Sequence, residues 1–148
     1  MRIETKYFGV VEIKEEDIIR FPQGIPGFLD EKDFVLLNFE ESGLFQVLQS
    51  IHQQNPAFVV IDPFLFVKDY QFKLDDATIN QLSIEKKEEV RALSIVTVRE
   101  PLTTSTANLQ APVIINQSNK QAKQLVAMHS KYTTREAIFQ QSSNTKEA

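Results

Sequence analysis

The residue types that carry most protein chemistry are scarce in this chain and poorly spaced. His52 and His129 are the two histidines, far apart, and neither belongs to a His-x-x-His or His-Glu-x-x-His pattern that would hold a metal ion. There is no cysteine, which excludes disulfides, thiolate catalysis and Cys-based zinc sites. The 4 glycines are too few to build a phosphate-cradling loop, and no serine sits in a nucleophile elbow. Asp75 and Asp76 invite an acid–base or metal reading. At a predicted helix start, however, aspartates accept orphan N–H bonds and complement the helix dipole. Phe64, Phe66, Tyr70 and Phe72 alternate with Lys68 and Lys73, which resembles a stacking platform for single-stranded nucleic acid. Two lysines flanked by acidic residues favour core filling instead. These residues predict no enzyme, no metal and no cofactor.

The overall composition points the same way. The chain has 148 residues, 42% hydrophobic and 24% charged, enough for one domain with its own core. Its formal charge is −4, with no dense Lys/Arg run, so phosphate backbones are a poor target and a basic protein is a better one. The amino-terminal MRIETKYFG has no apolar run after a basic start, and no stretch approaches membrane-spanning length. The expectation is a cytoplasmic protein that works by binding.

Residues 106–116, TANLQAPVIIN, organise the rest. Leu109, Ala111, Val113 and Ile115 fall on one side of a strand; Asn108, Gln110, Pro112, Ile114 and Asn116 fall on the other. Pro112 gives no N–H to a ladder, so the strand is expected at an edge or broken by a bulge. An edge carrying amides and unused backbone groups would suit a docking partner; an ordinary barrel strand with a wet face is the reading that periodicity alone favours. Residues 21–28, FPQGIPGF, concentrate breakers, and Ile25-Pro26-Gly27 suits a type II turn with Phe21, Ile25 and Phe28 pinning it. It reads as a rigid binding loop or as a well-made corner.

Alternation predicts a hairpin near the start, then strands over 18–21, 34–39, 44–51, 57–61 and 90–98, with 34–39 covered on both sides. Residues 70–74 alternate, sending Tyr70, Phe72 and Leu74 inward. A helix is expected over 75–84, capped by an aspartate. Residues 121–130 favour a strand pairing back on 106–116. The fold class expected is all-β in the main: a small antiparallel β-barrel-like domain over 1–132, with one or two short helices. Residues 133–148 are expected to form a tail, partly helical or disordered, in which Ile138 and Phe139 make an apolar patch that a partner would order.

Several stretches resemble the flagellar assembly factor FliW family: IIRFPQGIPGF, FQVLQS, AFVVIDPFLFVKDYQFKL, LSIVTV, and TANLQAPVIIN with QAKQLV after it. They occur in the family's order and span nearly the whole chain. The resemblance implies a β-barrel-like protein without catalytic activity that binds two proteins in alternation. One is CsrA, a dimeric RNA-binding repressor of flagellin translation; the other is flagellin itself. It further implies a protein that is monomeric when free and does not touch nucleic acid or membrane. Candidate contacts are Gln23, Ile25 and Pro26 of the corner, Asn108, Gln110, Pro112 and Asn116 of the strand, Ile138 and Phe139 of the tail, and the acidic turns. Two alternatives stay open: a barrel that binds single-stranded RNA through Phe64, Phe66 and Tyr70, and a flagellin chaperone without regulatory role.

Overall fold

A computed structural model describes residues 1–127 and 130–139. The reading of His129 and of the closing QSSNTKEA falls outside these residues.

The chain begins with the expected hairpin, β1 (Arg2–Thr5) against β2 (Gly9–Glu12), with Ile3 opposite Val11. Ile3 and Thr5 are buried while Arg2 and Glu4 face water, as strand alternation requires. Thr5 closes the turn: its hydroxyl donates to the Gly9 carbonyl at 2.8 Å and accepts from the Phe8 amide at 2.9 Å.

After β3 (Ile19–Arg20) and the 21–28 corner, three antiparallel strands run in sequence: β4 (Asp33–Asn38), β5 (Phe45–Ser50) and β6 (Ala57–Ile61). β7 (Val90–Thr97) pairs with β6, and β9 (Val113–Asn116) pairs with β7. β10 (Gln121–Gln124) turns back on β9, as expected, and meets β3 in parallel at Gln121 and Arg20. β3 pairs with β4, so seven strands close into a ring. Each ring strand sends at least one side chain to a common core: Ile19, Phe34, Leu48, Val60, Leu93, Val113, Ile115 and Ala122. That is how a small barrel fills its interior. The parallel β10–β3 seam is the one departure from an antiparallel barrel among the described residues.

Between β6 and β7 lie two short helices. Asp62 caps α1 (Pro63–Phe66) by accepting from the Phe64 amide at 2.9 Å, with proline at the first helical position. Asp75 caps α2 (Asp76–Gln81) by accepting from the Thr78 amide at 2.9 Å. Residues 70–74 form no strand, although Tyr70 does go inward.

Two expectations are corrected. Residues 106–116 are broken by a bulge, the alternative that Pro112 allowed, but the face of β9 expected to be wet is not. They divide into β8 (Thr106–Ala107) and β9, both paired with β7, and residues 108–112 bulge between them. All four residues of β9 are buried, because Leu82, just past α2, packs with Ala92, Ile114 and Leu125 on the barrel's outer side. Residues 136–137 are not helical either. They form β11 (Glu136–Ala137) against β8, and Ile138 drops into a core with Val59, Ile61, Tyr70, Val96, Ala107 and Leu109. The fold therefore extends past 132, to the end of the described chain.

Candidate protein-binding surface

The 21–28 corner is built from inside outward. Phe21 and Ile25 are fully buried in the barrel core, and the Phe21 ring meets Phe34 edge-on at 5.3 Å. The Gly24 amide donates to the Phe21 carbonyl at 2.8 Å, and the Phe28 amide to the Ile25 carbonyl at 2.7 Å. With Gly27 at φ +89°, the latter is the type II turn the sequence predicts. Gly24 has two reasons to be glycine: φ is +72°, and a Cβ would lie 2.5 Å from the Leu29 carbonyl oxygen. Anchored this way, the corner holds Gln23, Pro26 and the half-exposed Phe28 outward, while Ile25 has no surface to offer a partner.

The 108–112 bulge is equally well tied. Asn108 Oδ1 accepts from the amides of Gln110 at 3.2 Å and Ala111 at 3.0 Å. The Asn108 amide donates to the Ile95 carbonyl at 2.9 Å, and the Leu109 amide to Thr133 at 3.2 Å. The carbonyls of Gln110 and Pro112 accept from Ala127 and Leu125. The expected docking edge with unused backbone groups is therefore absent, since these groups already have partners inside the chain. Asn108 and Gln110 remain half-exposed, whereas Pro112 and Asn116 are buried. Asn116 is structural: Nδ2 donates to the Leu82 carbonyl at 2.8 Å and to Ser83 at 3.3 Å, and Oδ1 accepts from the Ser118 amide at 2.9 Å. Ile138 is core, and Phe139 is half-buried with its ring against Phe45 and Phe66 at 6.2 and 6.0 Å.

Ile25, Pro112, Asn116 and Ile138 thus hold the fold together. Gln23, Pro26, Asn108 and Gln110 are the strand and corner candidates that reach the surface. The corner and β9 share one core through Ile25, Val113 and Ile115; the tail joins β8 in a second core.

The aromatic stretch does not form a stacking platform. The Tyr70 ring is buried, its hydroxyl donates to the Leu109 carbonyl at 2.9 Å, and burial pushes its phenol up to about 12. Phe66 packs on Phe45, which leaves Phe64 as the exposed ring of the three. The Asp75 carboxyl is held below the usual range by hydrogen bonding to Thr78, whose amide donates to Oδ1 at 2.9 Å, consistent with a cap and not an acid–base pair. His52 Nε2 lies 3.2 Å from Asp33 Oδ2 at the surface. Among the described residues no three His, Cys, Asp or Glu side chains could hold a metal, and no helix is long and apolar enough to cross a membrane.

The sequence reading missed one surface. Phe39 and Val98 follow β4 and β7 directly; they were expected within the strands over 34–39, covered on both sides, and 90–98. Both are exposed, each lying one residue past the end of its strand. The available signal was position: each apolar residue stands next to a turn sequence, Glu40-Glu41 or Arg99-Glu100-Pro101.

Comparison with known proteins gives a consistent result. The family model described as FliW protein matches residues 2–138. A protein of Bacillus subtilis (strain 168) named flagellar assembly factor FliW is 49% identical over 142 residues, 96% of this chain and 99% of that protein. One of the same name from Geobacillus kaustophilus is 45% identical over 141 residues, covering 95% and 97%. A crystal structure of the flagellar assembly factor FliW superimposes with a TM-score of 0.90 at 43% identity, covering 96% of this chain and 99% of that one.

Proposed function

The chain belongs to the FliW family of flagellar assembly factors, and from that premise we propose that it works by holding two proteins in alternation, the translational repressor CsrA and flagellin. Bound to this chain, CsrA releases the flagellin message. When flagellin accumulates in the cytoplasm it takes the chain away, and CsrA represses again. The scheme is a linkage: two ligands that exclude each other on one protein make the free level of one depend on the other by mass action.

The observation that carries the proposal is the likeness to FliW proteins over nearly the whole chain, in sequence and in fold. The site chemistry supports it. The surface combines rigid loops with acidic turns, and a chain of charge −4 suits a basic, RNA-binding partner. The free protein is a monomer in this scheme and does not bind RNA.

Calorimetry with purified CsrA tests the proposal, and the surface assignment is tested alongside it. Asn108 is a poor probe, because its carboxamide ties the bulge together. Gln23 and Gln110 are better. Replacing both by Lys should weaken CsrA binding about tenfold, through like-charge repulsion at the rim, and leave the melting temperature within about 2 °C of the parent, as for surface substitutions. Unchanged affinity removes the corner and the bulge from the interface. A flagellin complex without any CsrA complex favours a chaperone alone. A gel shift of leader RNA by this chain without CsrA favours direct RNA binding.

A further inference from the structure

Phe39, Phe45, Val59, Val98 and Leu102, with the carbon stem of Glu40, line a hollow of about 240 Å³ beside the β4–β5 turn. Its wall is wholly apolar, and Phe39, Val98 and Leu102 are 43%, 54% and 49% exposed. Water held against such a wall finds no hydrogen-bond partner on it. Phe39 also carries an aromatic cluster outward, with the rings of Tyr7 at 5.3 Å and Phe8 at 5.7 Å. Underneath, Phe45 rests against Phe66 and Phe139. These are stiff side chains that lose little freedom on binding, the kind that anchors interfaces.

Glu40 is the one charged residue in the lining. Its Oε1 accepts from the Phe45 amide at 2.9 Å. Its Oε2 accepts from the Ser42 amide at 2.9 Å and from the Ser42 hydroxyl. The carboxylate is therefore fixed at one edge of an apolar hollow, and Glu41 follows it in the same turn.

We propose that this hollow docks a protein segment in which one aliphatic or aromatic side chain stands beside a lysine or arginine. The apolar side chain seats among Phe39, Val98 and Leu102, and the cation meets Glu40. Other occupants fit less well. Residues 140–148, QQSSNTKEA, carry no large apolar side chain of the kind this hollow would seat. A second copy placed symmetrically here would bring Glu40 toward its own counterpart, a like-charge contact. The proposal rests on the reading that this chain works by holding proteins, but not on which proteins.

The test uses the full chain with methyl-labelled Val and Leu, titrated with two capped hexapeptides, Arg-Arg-Leu-Phe-Arg-Arg and Glu-Glu-Leu-Phe-Glu-Glu. The basic peptide should shift the Val98 and Leu102 methyl signals saturably, with the acidic peptide at least fivefold weaker. Val98→Asp and, separately, Leu102→Asp should each abolish that response. Both side chains are half-exposed, so both variants should keep the parent melting temperature. Equal response to the two peptides, no saturable shift at these methyls, or binding that survives both variants overturns the proposal. So does a shift on dilution without peptide, which marks a second copy as the occupant. This outcome is separable from the reading beneath it: failure to bind CsrA and flagellin would end that reading whatever the peptides do, and a silent hollow would leave it standing.

Discussion

Phe21→Ala should lower the unfolding free energy by about 3–5 kcal/mol, the range for removing a fully buried aromatic ring. The ring is 0% exposed, lies edge-on to Phe34, and shares its core with residues from all seven ring strands. Its backbone is tied as well, with the amide donating to the Lys32 carbonyl at 2.7 Å and the carbonyl accepting from Gly24. The corner cannot collapse into the cavity without breaking those bonds, so little relaxation is available. In urea the midpoint should fall while the slope stays constant, because the surface exposed on unfolding hardly changes. The melting temperature should drop by about 6–20 °C, given about 2–4 °C per kcal/mol at this size. A loss below about 1 kcal/mol would mean that the ring is not packed as described.

Gln49→Leu should cost about 2–4 kcal/mol, by a different physical route. Gln49 is 0% exposed. Its Oε1 accepts from the Lys6 amide at 3.1 Å. Its Nε2 donates to the carbonyls of Ser50 at 3.0 Å and of Gln53 and Gln54 at 3.1 Å. One side chain thus joins the first hairpin, β5 and the loop after it. Leucine fills a similar space but leaves these groups without a partner, and burying an unsatisfied amide costs more than a net hydrogen bond gains. Amide hydrogen exchange supplies a local check. Lys6 should lose protection in the variant more than the β6 amides do. Uniform loss across the barrel would contradict a local tie.

The fold was legible in the sequence where one dimension carries the information. The apolar runs of β4 to β7 and the Ile-Pro-Gly turn depend on neighbours along the chain, and so does the Asp75 cap. The rest depended on contacts between distant segments. Asn116 reads as a wet polar residue until Leu82, 34 positions away, accepts its Nδ2 hydrogen. Ile114 reads as half-exposed until the segment after α2 covers it. β11 has two residues and no periodicity of its own; β8 makes it a strand. Of the candidate contacts, Gln23, predicted from a polar type in a turn, stayed outside, and so did Asn108 and Gln110, predicted on a strand face but placed in the 108–112 bulge. Those predicted from a strand face were absorbed wherever a second layer lay over that face. Phe39 and Val98 failed in the opposite sense, because hydrophobic type alone does not show where a strand ends.

The central claim is mutual exclusion, and a competition experiment tests it most directly. A preformed complex of this chain with CsrA would be titrated with monomeric flagellin, with free CsrA followed by its binding to labelled leader RNA. The account predicts that RNA binding returns in proportion to flagellin added and that no species containing all three proteins forms. A stable ternary complex, or RNA binding that flagellin leaves unchanged, would contradict it.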